Sequence, residues 1–145
     1  MRKLLYLILL ITLSLFTDLN AKEDFFNEAK NEFDKKNYEE SKFLFQRNIV
    51  FNPKNAESYL YLAKIFKTEE NQEEEEKNLD TTLLLEPNNE EAIYMLINIQ
   101  LDRSNFEKAN VLMNRFTSVC KKMCNKKTEL SKSLQDFEAN NEKTN

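Results

Sequence analysis

Apolar side chains recur along this chain with helical spacing, inside blocks that repeat every 34 residues. Rows of 34 that begin at residues 22, 56 and 90 bring one asparagine of each row into one column and one large apolar residue into another. The first column holds Asn37, Asn71 and Asn105, and the second holds Phe25, Tyr59 and Ile93. Self-similarity at a fixed period predicts a repeat architecture, in which stacked copies of one unit share a continuous core.

Each row is predicted to form two helices. In the second row, Tyr59, Leu62, Ala63 and Phe66 stand at i, i+3, i+4 and i+7, which places them on one helix face. The first helices of the other rows and all three second helices keep similar spacing. The sequence therefore predicts an all-α solenoid of three helix pairs, residues 22–55, 56–89 and 90–123, with each apolar side covered by a neighbouring pair.

Asparagines mark the predicted helix starts. Asn favours the N-cap because its side-chain oxygen accepts a backbone N–H that the first turn leaves unpaired. The column that begins with Asn37 starts the second helices, and Asn55 and Asn89 can cap first helices. Glu40 and Glu74 each follow an asparagine of that column by three residues, a spacing that predicts a capping box.

The two ends of the chain carry further elements. Leu130, Leu134 and Phe137 predict an amphipathic helix over about residues 126–139 that caps the open end of the solenoid, followed by a flexible tail, residues 140–145. Residues 1–3 are basic and residues 4–16 are uncharged and largely apolar, a run too short for a membrane span and typical of a signal peptide cleaved after Ala21. We expect a periplasmic or secreted protein; the alternative is an uncleaved segment that anchors it to the inner membrane.

These residues resemble the tetratricopeptide repeat (TPR), a helix-turn-helix unit of 34 residues with an early aromatic, a small residue eight places in and a closing proline. Row two carries Tyr59, Ala63 and Pro87 at those places, and row one carries Phe25, Ala29 and Pro53. The third row departs from the pattern, with Ile97 for the small residue and Lys121 for the proline. Row two has Glu75 where the family prefers a small residue at the helix crossing.

The turn between the two helices of each row also departs from the family. Where glycine is common there, this chain has Lys36, Glu70 and Ser104, and it contains no glycine at all. If these positions need a positive φ, each non-glycine residue costs about 1 kcal/mol. We therefore expect adapted turns or modest stability.

Composition argues against catalysis. The chain has no His and no Gly, so the phosphate-cradling loops, the HExxH zinc site and the His-activated nucleophiles are excluded by residue type. The acidic run over residues 69–76 lacks the spacing of a calcium loop and is interpreted as a solvated turn and helix start. A net charge of −4 argues against binding to nucleic acid. We expect no enzyme activity, no cofactor and no metal.

Cys120 and Cys124 are the only cysteines. An even number of cysteines in an exported chain favours a disulfide. The i, i+4 spacing of this pair, however, is unfavourable for a disulfide inside an unbroken helix. The pair falls where the third row ends and the chain must turn. A disulfide and a pair of free thiols both remain open.

The family resemblance implies a concave groove, lined by the first helix of each repeat, that takes peptides or helices. Alignment assigns nine first-helix positions to it: Phe26, Lys30, Phe33, Leu60, Lys64, Lys67, Tyr94, Asn98 and Leu101. Aromatic anchors mixed with lysines suit a peptide with acidic groups. We expect a protein-interaction module of the bacterial cell envelope; the alternative is a scaffold that self-associates through exposed repeat edges or its C-terminal helix.

Overall fold

The computed structural model of the protein describes residues 21–142. Most of the predicted signal peptide, residues 1–20, lies outside the described residues, as do residues 143–145 of the expected tail. The described helices are α1 (Ala21–Asp34), α2 (Tyr38–Phe51), α3 (Ala56–Thr68), α4 (Gln72–Leu85), α5 (Glu90–Asp102), α6 (Phe106–Val119), a short 3₁₀ helix (Cys124–Lys126) and α7 (Lys127–Glu142). The all-α class and the three helix pairs are confirmed.

The chain divides into two compact units, one that ends at Ser58 and one that begins at Tyr59. In the first unit α1 packs against α2. Phe45 and Ala29 are fully buried there, and Ser41 lies between the two helices, where its hydroxyl donates to the carbonyl of Ala29 at 2.9 Å. Asn48, also fully buried, donates to the Ser58 hydroxyl at 2.8 Å.

The core of the second unit is built around α5. One face of this helix joins Ala63 of α3 and Leu79 of α4 in a first apolar cluster. The opposite face joins Phe116 of α6 and Leu130 of α7 in a second. Because both faces of α5 are covered, nearly every residue from Ala92 to Leu101 is buried, as expected of a helix that is apolar all round.

The turn inside each helix pair contains one residue with a positive φ, the backbone conformation in which a non-glycine residue is strained. Lys36, Glu70 and Ser104 have φ of 64°, 57° and 56°. In the first turn the N–H of Lys36 donates to the carbonyl of Phe33, and the N–H of Asn37 donates to that of Glu32, both at 2.9 Å. The other two turns repeat this pattern of a Schellman motif, which pairs the last carbonyls of a helix.

The same motif explains why the predicted capping boxes are wrong. The backbone N–H of Asn37 and of Asn71 donates to the preceding helix, so no hydrogen is left for the carboxylate of Glu40 or Glu74. Asn71 still accepts the N–H of Glu74 at 3.2 Å. Asn37 makes no side-chain cap bond and instead donates to the carboxylate of Glu32 at 3.0 Å.

The predicted asparagine caps of α3 and α5 are confirmed. The side-chain oxygen of Asn55 accepts the N–H of Ser58 at 2.8 Å. That of Asn89 accepts the N–H of Ala92 at 3.0 Å. Each bond pairs a donor that the first turn would otherwise leave unsatisfied.

The chain turns after α6 through a loop closed by a disulfide. Cys120 leaves the helix with φ −60° and ψ 137°, and this break brings its sulfur within 2.17 Å of the sulfur of Cys124. The carboxylate of Glu90 accepts the N–H groups of Lys122 at 3.0 Å and Met123 at 2.8 Å. These backbone donors, Met123 first, hold the pKa of Glu90 below its ordinary value.

The C-terminal helix α7 packs against α5 and α6. Leu130 is buried and Leu134 is half-buried in the second apolar cluster. The side chain of Phe137 lies outside the described residues. The helix continues to Glu142, so the expected end near residue 139 is wrong by about one turn. Within residues 21–142, no helix is long and apolar enough to cross a bilayer.

Candidate functional site

The nine predicted groove positions come from three columns of the repeat, the fifth, ninth and twelfth residues of each row. They fall on α1, α3 and α5, the first helices of the three pairs. Three of them belong to the first unit and six to the second.

In the first unit the three positions on α1 are half-buried. The ring of Phe26 meets that of Phe45 edge to face, with centroids 5.8 Å apart. The ring of Phe33 meets that of Tyr38 in the same way at 5.5 Å. Lys30 lies between the two phenylalanines along the helix. Packing of this kind fixes the rings while leaving part of each side chain in solvent.

Two positions of the second unit are not available to a ligand. Leu60 and Leu101 are 6% and 3% exposed and belong to the two apolar clusters. The prediction that they lie exposed on the first helices is wrong, because α5 covers Leu60, and α6 and α7 cover Leu101.

The side chain of Tyr94 is engaged by residues at the start of the C-terminal helix. Its hydroxyl donates to the carboxylate of Glu129 at 3.1 Å, and the ammonium of Lys126 lies 5.7 Å from its ring centroid. Lys126 also pairs with Glu129 at 2.7 Å. The Lys126 ammonium and, after it, the Tyr94 hydroxyl lower the pKa of Glu129. In the third pair, therefore, α7 takes a place that alignment had assigned to a partner.

The positions that stay accessible in the second unit are Lys64, Lys67 and Asn98. Lys67 is exposed, while Lys64 and Asn98 are half-buried. The ammonium of Lys64 pairs with the carboxylate of Glu91 at 2.9 Å, and the side chain of Asn98 donates to the carbonyl of Tyr94 at 2.9 Å. We call Tyr61, Lys64, Lys67, Glu91 and Asn98 the accessible face.

Two members of the accessible face were not among the nine predicted positions. Tyr61 is half-buried, and its ring centroid lies 4.8 Å from the ammonium of Lys64. Glu91 neutralises the same ammonium across the gap between α3 and α5. The opposite charges of Lys64 and Glu91 are visible in the sequence, but the two residues are 27 positions apart, and their pairing depends on how two helices are placed.

The acidic run over residues 69–76 has several different environments. Glu74 pairs with Lys77, and Glu76 pairs with Arg103 and accepts from Gln100 at 3.1 Å. Glu75 is buried, and burial raises its pKa. Within the described residues, no group of three or more His, Cys, Asp or Glu side chains is placed to hold a metal ion.

Solved structures share this fold. No protein-family model and no curated protein sequence matches the chain. The Yersinia enterocolitica type III secretion translocator chaperone SycD is similar with a TM-score of 0.75 and 12% identity, over 91% of this chain and 93% of that one. SycD in complex with a peptide of the translocator YopD is similar with a TM-score of 0.72 and 13% identity, over 84% of this chain and 95% of that one.

A second TPR structure that holds a peptide is similar as well. The first TPR of Spaghetti (RPAP3), bound to the HSP90 peptide SRMEEVD, gives a TM-score of 0.70 and 14% identity, over 80% of this chain and 94% of that one. At these identities the likeness concerns the fold. The chain is an all-α, TPR-like helical repeat.

Proposed function

We propose that this protein is a non-catalytic interaction module that binds a peptide segment of another protein on its first helices. The observation that carries the proposal is the TPR-like fold, because solved structures with this fold hold a peptide of YopD and a peptide of HSP90. α1 in the first unit and α3 in the second each carry accessible positions of the predicted groove, and each can contact a ligand of the same kind.

The accessible side chains favour a peptide that carries carboxylates. Lys30, Lys64 and Lys67 provide three cations, and Asn98 provides an amide that can bond to a peptide backbone. Lys64 already has a partner in Glu91, so a ligand carboxylate must compete for it. The HSP90 peptide SRMEEVD bound to RPAP3 contains three acidic side chains, which is the chemistry that these lysines would recognise.

An apolar contribution comes from rings that are partly fixed in advance. Phe26 and Phe33 on α1, and Tyr61 on α3, are each half-buried. A ring that is held by its neighbours loses little conformational entropy when a ligand covers the rest of it. The proposed mechanism is therefore recognition by a rigid helical surface, with no chemical step.

The proposed setting is the bacterial cell envelope, most simply the periplasm. The signal-like residues 1–21 support export, and the disulfide between Cys120 and Cys124 fits an oxidising compartment. The absence of His and Gly from the sequence supports a role without catalysis.

Photo-crosslinking in the cell tests this proposal. A crosslinking amino acid replaces Lys67, which is exposed on α3, and in a control chain it replaces Lys77, which is exposed on α4. We expect an adduct with a different protein from position 67 only. Lys64→Glu in the same chain should reduce the yield about tenfold, because it sets a like charge against the ligand carboxylates.

The controls decide between outcomes. Fold is checked by helix content and by the thermal midpoint of each purified variant. Equal yields of adducts with a different protein from positions 67 and 77, or adducts from position 67 whose mass is that of two copies of this chain alone, would contradict a peptide site on the first helices.

A further inference from the structure

Large apolar side chains are exposed on the second helices of the pairs. Among the described residues, five exceed 45% exposure: Phe43, Val50, Phe51, Leu84 and Val111. They lie on α2, α4 and α6. Val50 and Leu84, exposed by 78% and 81%, occupy the same place in successive rows. Exposed apolar side chains that share a surface indicate an interaction site.

In the first unit these side chains form what we call the basic stripe: Phe43, Gln46, Arg47, Val50, Phe51 and Lys54. The first five stand at i, i+3, i+4, i+7 and i+8 along one exposed face of α2, and Lys54 follows in the turn. Arg47 and Lys54 are its charges, and no exposed position from residue 43 to 54 is a carboxylate. The stripe is therefore apolar and positive.

Contacts with α1 hold part of the stripe in place. The guanidinium of Arg47 lies 4.3 Å from the ring centroid of Phe25. That ring stacks on Phe51, with centroids 5.8 Å apart and planes inclined by 13°. The three side chains make one layered surface, which reduces the entropy lost when a partner covers it.

In the second unit a cleft of about 550 Å³ lies among α4, α5 and α6. We call it the acidic cleft. Three of its lining side chains are carboxylates, Glu76, Asp80 and Glu107, against the single cation Lys108. Its apolar lining includes Val111, which is 64% exposed. The cleft is therefore apolar and negative.

Two carboxylates of the cleft, Asp80 and Glu107, lack a bonded partner in the described part of the chain. Glu76 pairs with Arg103, whereas the carboxylate of Asp80 makes no hydrogen bond or ion pair with any described residue. Burial and the Glu76 carboxylate raise the pKa of Asp80, and Lys108 offsets part of this shift. A cation placed at Asp80 would relieve an unfavourable interaction that the isolated chain retains.

The two surfaces match in charge and in spacing. Arg47 and Phe51 are four residues apart on α2, and Asp80 and Leu84 are four residues apart on α4. Positions four apart lie one above the other on a helix, about 6 Å apart. A helix that brings Arg47 to Asp80 can therefore bring Phe51 to Leu84.

We propose that the basic stripe of one copy of this chain docks on the acidic cleft of a second copy. The occupant is a second copy because one sequence carries both complementary surfaces, and the pairing covers the exposed apolar side chains of both. Each copy in the pair uses a different surface, so each pair keeps one free stripe and one free cleft. Such a contact can continue into a ring or a filament.

Charge reversal tests the proposal on the full chain as the cell produces it. Arg47→Glu removes the stripe, Asp80→Lys removes the cleft, and the double variant reverses the pair. Mass is measured by light scattering and sedimentation over a range of concentrations. We expect each single variant to weaken self-association about tenfold or more, and the double variant to recover most of it.

Mixing the two single variants gives the most specific result. The stripe of the Asp80→Lys chain can dock on the cleft of the Arg47→Glu chain, and the two substituted surfaces are again complementary in charge, so the mixture should recover the association that each variant alone has lost, with the two chains in equal amounts. An isologous dimer, in which both copies use the same patch, predicts no such pairing. Both substitutions are at exposed positions, and unchanged helix content and thermal midpoints show that each variant is folded.

Several results would overturn the proposal. A strict monomer at all concentrations is one, and association that neither charge reversal changes is another, since contacts through residues 1–21 would behave in that way. Sedimentation with phosphatidylglycerol vesicles that is lost in Arg47→Glu alone would assign the stripe to lipid. Failure of the double variant to recover association would exclude the Arg47–Asp80 pairing.

Discussion

At the scale of single residues, the three turns inside the helix pairs use side chains that the backbone does not favour. A positive φ brings Cβ close to the following carbonyl oxygen, and only glycine avoids this cost. Lys36, Glu70 and Ser104 nevertheless adopt it, at φ between 56° and 64°. The Schellman hydrogen bonds compensate, because they pair carbonyls at the helix end that would otherwise be left to solvent.

Glycine at these positions should therefore stabilise the protein. We expect Lys36→Gly, Glu70→Gly and Ser104→Gly each to raise the free energy of unfolding by up to about 1 kcal/mol. Urea denaturation followed by circular dichroism measures each value.

A neighbouring lysine provides the matched control. Lys35 precedes Lys36 and does not have a positive φ, so Lys35→Gly should lower the free energy of unfolding. If Lys36→Gly were as destabilising as Lys35→Gly, the strain assigned to the left-handed position would be absent.

At the scale of elements, the crossing of the two helices in a pair depends on one column of the repeat. Ser41, Glu75 and Ala109 occupy it, and all three are buried. Ser41 bonds to the facing helix and Ala109 is small, but Glu75 brings a carboxylate to the crossing of α3 and α4. Burial raises the pKa of Glu75, Asp102 adds to the shift, and Lys67 and Arg103 oppose it.

This raised pKa predicts how stability depends on pH. Between the ordinary pKa of a glutamate and the raised value, the folded chain keeps the proton and the unfolded chain has lost it. The contribution of Glu75 to stability is therefore present at low pH and is lost as the pH rises through the raised value. Glu75→Gln should be more stable than the parent at pH 7, with a difference that shrinks towards zero below about pH 4.5.

The difference in stability between the parent and Glu75→Gln reports the contribution of Glu75 alone. Carboxylates with lowered pKa values, such as Glu90, act in the opposite direction, but they are common to both chains and cancel. Glu73→Gln, at an exposed position of the same helix, should give no gain at pH 7. Thermal midpoints from pH 3.5 to 8 measure the effect; a gain that does not change with pH would show that burial of charge is not its cause.

The elements themselves were predictable because the signals that specify them are local. Helical spacing of apolar residues and the asparagines that precede α2 to α6 require only a few neighbouring positions, and the three pairs lie where the 34-residue period places them. The capping boxes failed for a reason one element away, since the N–H of Asn37 is taken by the end of the preceding helix. For the turns, the sequence predicted the cost of a positive φ but not whether the backbone adopts it.

The candidate site was predictable only in part. Leu60, Tyr94 and Leu101 have the correct place in the repeat, but other helices cover them or bond to them. Alignment within a repeat identifies the side of a helix, whereas coverage depends on neighbours that differ between the middle and the end of the solenoid. The pairing of Lys64 with Glu91 is of the same kind, a contact between elements that no local pattern encodes.

At the scale of the whole molecule, α7 completes the last pair. The second apolar cluster would face solvent without it, because Leu130 is 2% exposed and packs against α5 and α6 residues such as Ile97 and Phe116. In a repeat protein each unit contacts only its neighbours, so stability approximates a sum of local terms. The loss of a cap should therefore be felt most in the pair that it covers.

Hydrogen exchange in Leu130→Ala tests this view. Truncation of a buried leucine costs about 2 to 5 kcal/mol, because apolar contacts are lost and a cavity remains. We expect amide exchange measured by mass spectrometry to accelerate strongly in α5 and α6 and much less in α2, which belongs to the other compact unit. Lys132→Ala, at an exposed position of the same helix, should leave all three rates close to those of the parent.

An equal acceleration in α2 and α5 would mean that the chain unfolds as one cooperative body, and the accessible face on α3 would then be as stable as the capped end. A graded response would instead mean that this face can open locally while α1 and α2 stay folded, which would let a bound peptide stabilise the second unit by itself.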